Sequence, residues 1–175
     1  MRGSRISVGF NRNENHSRCV PGGTMVATFS RLSSYIIETG TDPTNLGRWS
    51  WILVGSGDHR TRIVSAYQPN KLQKHPKLVT ENGKMIGRGT VAAQHQRYFT
   101  TKGNSNDPRD IFRAQLLLQL KQWRAADEEL ILFADLNEDI YTGPIARALL
   151  QPELLMEEQT LKSTGSRAPP SDKEQ

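Results

Sequence analysis

The strongest constraint in this chain is a long amphipathic stripe that runs almost directly into an unbroken apolar segment. Phe112, Leu116, Leu120 and Trp123 are spaced four, four and three residues apart, with Ile111 and Leu117 widening the stripe. That spacing predicts a helix over Asp107 to Ala126 with one buried face. Asp107 suits the N-cap, Pro108 the first helical position and Asp110 the positive end of the helix dipole. Asp127-Glu128-Glu129 then makes a turn, and Leu130–Ala134 follows as a continuous apolar run. Such a run predicts a central strand buried on both faces, with the helix packed beside it. A helix feeding a buried strand calls for an α/β or α+β core.

Upstream, the period changes from helical to alternating. Thr24–Phe29 follows Pro21-Gly22-Gly23 and predicts a strand; Tyr35–Glu38 predicts a second, reached through the polar turn Ser30–Ser34. After the loop signal Asp42-Pro43-Thr44-Asn45-Leu46-Gly47, Arg48–Val54 predicts a third. Trp49, Trp51 and Leu53 fall on one face of it, and Arg48, Ser50 and Ile52 on the other. Gly55-Ser56-Gly57-Asp58 is a hairpin turn and Thr61–Ala66 the returning strand. Together these four segments predict an antiparallel sheet. Asn70–Thr90 predicts a surface loop, Val91–Phe99 a helix, and Pro144–Leu150 a short helix limited by Pro152. Residues 1–160 are expected to form one domain and 161–175 a disordered tail.

Composition bears on partners. The 175 residues carry a net charge of +5, but unevenly. Residues 1–126 hold 19 Lys and Arg against 7 Asp and Glu, whereas residues 127–175 hold 4 against 11. The basic portion suits a polyanion such as nucleic acid, and the acidic portion a divalent cation; both also suit ordinary solvated surfaces. No apolar run reaches the length of a membrane span, and no secretory leader is visible. One cysteine, Cys19, excludes an internal disulfide, and a reduced intracellular setting is expected without membrane attachment.

Two segments can carry chemistry. Asp135-Leu136-Asn137 follows the apolar run, and residues two apart at a strand end project to the same side. A carboxylate there can take a proton from water or face a metal, while the carboxamide can donate to a phosphate oxygen without adding charge. The same residues also suit a plain turn after a strand. Glu138 and Asp139 read as turn and surface residues. Ser65-Ala66-Tyr67-Gln68-Pro69-Asn70 closes the other apolar strand, where the Tyr67 hydroxyl can meet a phosphoryl oxygen or simply cap the sheet rim. Trp49 and Trp51 suit core positions. His16, His59, His75 and His95 lack ligand spacing.

In order, PGGTMVATFSR, LGRWSWILV with TRIVSAYQPN, and RDIFRAQLLLQL with LILFADLNED resemble the endonuclease/exonuclease/phosphatase superfamily, the deoxyribonuclease I-like fold. They are particularly similar to its retroelement-type endonuclease domains. The resemblance covers about residues 20–150 and implies a four-layer α/β sandwich built on two mixed β-sheets. It implies a metal-dependent phosphodiester hydrolase, using Mg²⁺ or a similar ion, acting on DNA or RNA with DNA favoured. Asp135 would activate the attacking water, Asn137 would hold water and phosphate, and Tyr67 would contact the scissile phosphate. Arg48 and Asn70 are expected to touch substrate. Tyr67 on one sheet and the Asp135–Asn137 couple on the other would converge on one cleft.

The family's metal-binding Glu, its earlier strand ending in Asn and its closing Asp-His pair have no match in the sequence. No metal ligand is therefore assigned, and the chain is expected to be a partial domain lacking N- and C-terminal strands. The alternative is a catalytically inactive remnant that binds nucleic acid through its basic portion.

Overall fold

A computed structural model describes residues 3–13, 22–71, 90–139 and 141–156. Cys19, His16, His75, most of the 70–90 loop and the 161–175 tail lie outside the described residues. The strands are β1 (Ser4–Gly9), β2 (Thr24–Phe29), β3 (Ile36–Thr41), β4 (Trp49–Ser56), β5 (His59–Tyr67) and β6 (Glu129–Asp135). The α-helices are α1 (Val91–Thr101), α2 (Pro108–Ala125) and α3 (Pro144–Leu149), and a 3₁₀ turn spans Ser30–Tyr35.

The result is an α+β fold with two sheets. β3-β4-β5-β6 form a four-stranded mixed sheet, antiparallel except for the parallel β5–β6 pair. β1 and β2 form a separate antiparallel ribbon. Thr24–Phe29 therefore does not join the sheet of its successors, as the expected single antiparallel sheet required. Its partner β1 has no dense apolar face to mark it: Ser4–Gly9 turns Ser7 and Gly9 inward and leaves Ile6 and Val8 exposed.

Alternation along β4 decides the layering. Trp49, with Val64 and Ala66 of β5, packs against Phe112, Leu116, Leu120 and Trp123 of α2, and Ile145 of α3 joins the same cluster. Trp49 and Phe112 meet edge to face at 6.0 Å, and Trp51 and Trp123 at 5.7 Å. The opposite face, Ile52 and Val54, packs on Val26 of β2. The described residues thus make three layers, ribbon on sheet on helices, within the expected four-layer scheme. A smaller cluster of Leu46, Phe99 and Ile111 ties α1 to α2.

One expectation fails clearly. Among the described residues β6 is an edge strand, not a central one. Its helix-side residues Leu130 and Leu132 pack on the core, but Ile131 and Phe133 on the other face are 45% and 64% exposed. The ribbon covers β4 and β5 and stops short of β6. An unbroken apolar run cannot by itself report whether both faces find cover.

Candidate functional site

The parallel pairing of β5 with β6 sets the site. Their register places Tyr67 opposite Asp135, the last residue of each strand. The hydroxyl and the carboxylate therefore belong to neighbouring strands of one sheet, not to two sheets as expected. They share its C-terminal rim, the end where parallel strands present ligand-binding groups. Asp135 is exposed and Tyr67 half-buried. Burial first, and the negative charge of Asp135 second, push the Tyr67 phenol above its ordinary value. The phenol thus stays neutral near pH 7 and can donate a hydrogen bond.

Gln68 continues the ladder past the strand ends. Its N–H donates to the Asp135 carbonyl at 2.9 Å, and its carbonyl accepts from Asn137 Nδ2 at 2.6 Å. Its side-chain Nε2 donates to the Leu136 carbonyl at 2.6 Å. The Asn137 N–H in turn donates to Asp135 Oδ1 at 3.3 Å, with Asn137 in the left-handed region at φ 48°, where Asn is tolerated. Tyr67, Asp135 and Asn137 are thereby brought together, though the Asn137 amide is committed to orienting the rim. Asn70 stands exposed just beyond Pro69, followed by exposed Lys71.

Arg48 is not a substrate contact. Its side chain is fully buried, with Nε 2.7 Å and Nη2 2.8 Å from the two oxygens of Asp42. Nη2 also donates to Gln115 Oε1 at 2.7 Å, and the guanidinium lies over the Trp49 ring. Its carbonyl accepts the Tyr67 N–H at 2.8 Å, so Arg48 braces the rim from behind. Arg62, another member of the basic portion, is likewise internal. It forms a two-point pair with Glu128, both contacts 2.6 Å, and stacks on Trp51 and Trp123. An Arg among alternating apolar residues reads equally as surface or as a buried pair until its acid is located.

Two residues were missed as organisers. Arg109 donates from Nη1 to the Pro69 carbonyl at 2.9 Å and from Nη2 to the Asn137 carbonyl at 3.0 Å, clamping the exits of β5 and β6 together. A cation in the first turn of a helix opposes the dipole, which is the signal that could have marked it. Glu138, read as a surface residue, keeps only 7% of its side chain exposed. Its Oε1 accepts the Ile145 N–H at 2.7 Å and so caps α3, where Gly143 has no side chain to do so. A Cβ at Gly143 would run into the Glu138 carboxylate and the Asp139 carbonyl. Asp139 is a turn residue as expected, accepting from the Tyr141 and Thr142 N–H groups at 2.9 and 2.6 Å.

The donor set does not fit Mg²⁺ on its own. Among the described residues no three His, Cys, Asp or Glu side chains gather in a way that could hold an ion. Asp135 offers one carboxylate, and Glu138 is committed to α3 and faces Arg109 at 3.7 Å. The described histidines are elsewhere: His59 opens β5 at its far end and His95 is buried in α1.

No family model matches the sequence, and no curated protein matches it. Among solved structures, it is similar to a beta toxin from Staphylococcus aureus, with a TM-score of 0.39 and 11% identity over 79% of this chain and 42% of that one. It is also similar to sphingomyelinase C from Streptomyces griseocarneus, with a TM-score of 0.29 and 17% identity over 71% and 36%. The chain spans less than half the length of either, and neither likeness assigns a family. Among the described residues, no helix is long and apolar enough to cross a membrane.

Proposed function

We propose that the β5–β6 rim handles a phosphodiester, and that the chain is a phosphodiester hydrolase of nucleic acid, DNA foremost. The observation that carries this reading is the register pairing of Tyr67 with Asp135. It sets a neutral donor beside an exposed carboxylate, with Asn137 two residues past Asp135 and Asn70 three past Tyr67. In this reading the Tyr67 hydroxyl donates to a non-bridging oxygen, and Asp135 orients water and accepts its proton. Lys71 offsets the phosphate charge at the same end. Mg²⁺, which the sequence resemblance implies, would find at this rim the Asp135 carboxylate but not the Glu138 carboxylate, which α3 and Arg109 occupy.

That single carboxylate favours a second reading, a nucleic-acid binder without hydrolysis. Nicking of supercoiled plasmid, with and without Mg²⁺, tests both. Nicking that disappears in Asp135→Ala supports the hydrolase. Retention of DNA without nicking, unchanged by Asp135→Ala, supports the binder. Protein that neither nicks nor retains DNA overturns both.

A further inference from the structure

The ribbon carries a cavity of about 400 Å³ that the rim does not use, lined by Ser4, Arg5, Ser30, Arg31, Ser33 and Ser34 together with Gly3. It lies at the opposite end of the sheet. The 3₁₀ turn leads into Ile36, which pairs with Val54, and Val54 pairs with Thr61. Thr61 precedes Tyr67 by six residues, about 20 Å along a strand.

No carboxylate lines this cavity. Neither the Arg5 nor the Arg31 guanidinium has an ion-pair or hydrogen-bond partner among the described residues. Two unpaired cations facing one concavity repel each other, and an anion between them removes that cost. The hydroxyls divide by role. Ser34 Oγ donates to the Arg31 carbonyl at 2.6 Å, and Ser33 Oγ shares a hydrogen bond with Thr28 Oγ1 at 3.1 Å, so these two shape the wall. The Ser4 and Ser30 hydroxyls make no hydrogen bond among the described residues. Ser30 sits at φ 58°, a left-handed conformation unfavourable for serine, and backbone of this kind tends to collect at ligand clamps.

We propose that this cavity is an anion site for a phosphate group, gripped by the guanidinium forks of Arg5 and Arg31 with hydroxyl donation from Ser4 and Ser30. The site stands independently of the rim and of the activity proposed there. A free phosphate, a nucleic-acid backbone and a lipid head group share this chemistry.

Titration of the whole chain with inorganic phosphate, followed by calorimetry and by amide NMR, tests it. Saturable binding is expected, with amide shifts concentrated at Arg5 and Ser30–Ser34. Arg31→Gln should weaken binding about tenfold or more, as loss of a charge-assisted hydrogen bond does, and Arg5→Gln with Arg31→Gln should abolish it. Shifts confined to Tyr67–Asn70 and Asp135–Asn137, unaltered affinity in a folded double variant, or no saturable binding would each overturn the site. The wild-type NMR map decides the matter if the double variant fails to fold. Competition then identifies the source: an oligonucleotide displacing phosphate indicates a nucleic-acid backbone, phosphatidylglycerol vesicles a head group, and displacement by neither a free anion.

Discussion

Asp42 and Arg48 have no exposed side-chain surface, so their pairing is a matter of stability. Burial pushes the Asp42 carboxyl upward, but the Arg48 guanidinium and Thr44 outweigh it and hold the group below its usual range. A carboxyl depressed on folding stabilises fully above its unfolded value, about 3.9, and loses that contribution as pH falls through the folded value. Asp42→Asn should therefore cost about 3–5 kcal/mol at pH 7, as a broken buried pair does. It should also flatten the stability loss below about pH 4, a pattern urea titrations across pH will show. Tyr67 behaves oppositely. Its phenol, raised mainly by burial and less by Asp135, should titrate above the ordinary tyrosine range. Spectrophotometric titration against Tyr67→Phe isolates it from the other three of four tyrosines. Asp135→Asn should lower its value only in part, because burial remains. A Tyr67 that titrates normally in the wild type contradicts this environment.

At the level of elements, α2 and the inner face of β6 carry the core while the outer face of β6 carries little. Leu116 is fully buried and Phe133 is 64% exposed. Leu116→Ala should cost about 2–5 kcal/mol, whereas Phe133→Thr should stay within about 0.5 kcal/mol. Equal losses in denaturant melts would mean that the outer face of β6 is covered after all. α2 was legible residue by residue. Its Asp107 cap accepts from the Arg109 N–H at 2.7 Å, and its stripe is the stripe that packs. The β4–β5 hairpin was equally plain, since Gly57 takes φ 60° at the turn, a conformation glycine adopts without strain. β1 was not legible, because its pairing depends on a partner beyond residue 20 rather than on its own pattern.

For the molecule as a whole, net charge overstates the surface available to a polyanion, since Arg48, Arg62 and Arg109 are all buried. Arg60 and Lys71 remain exposed. If nucleic acid is retained, its affinity should fall steeply with salt, and reversing Lys71 should reduce the slope by about one. Reversal of Arg48 should instead unfold the protein. Filter binding across a salt series, with circular dichroism on each variant, separates these outcomes. A slope insensitive to salt would remove nucleic acid as the partner.

By itself the sequence determined where helices and hairpins lie, because caps, turns and hydrophobic period act over a few residues. It also marked the two strand ends, Tyr67-Gln68-Pro69-Asn70 and Asp135-Leu136-Asn137, as the places for chemistry. Only the tertiary structure decided that these ends lie side by side, that β6 is an edge among the described strands, and that Arg48 and Arg62 face inward. Register, strand order and the identity of a buried ion's partner are long-range choices. They are settled by which faces find cover and which charges find a counter-charge, and local pattern carries neither.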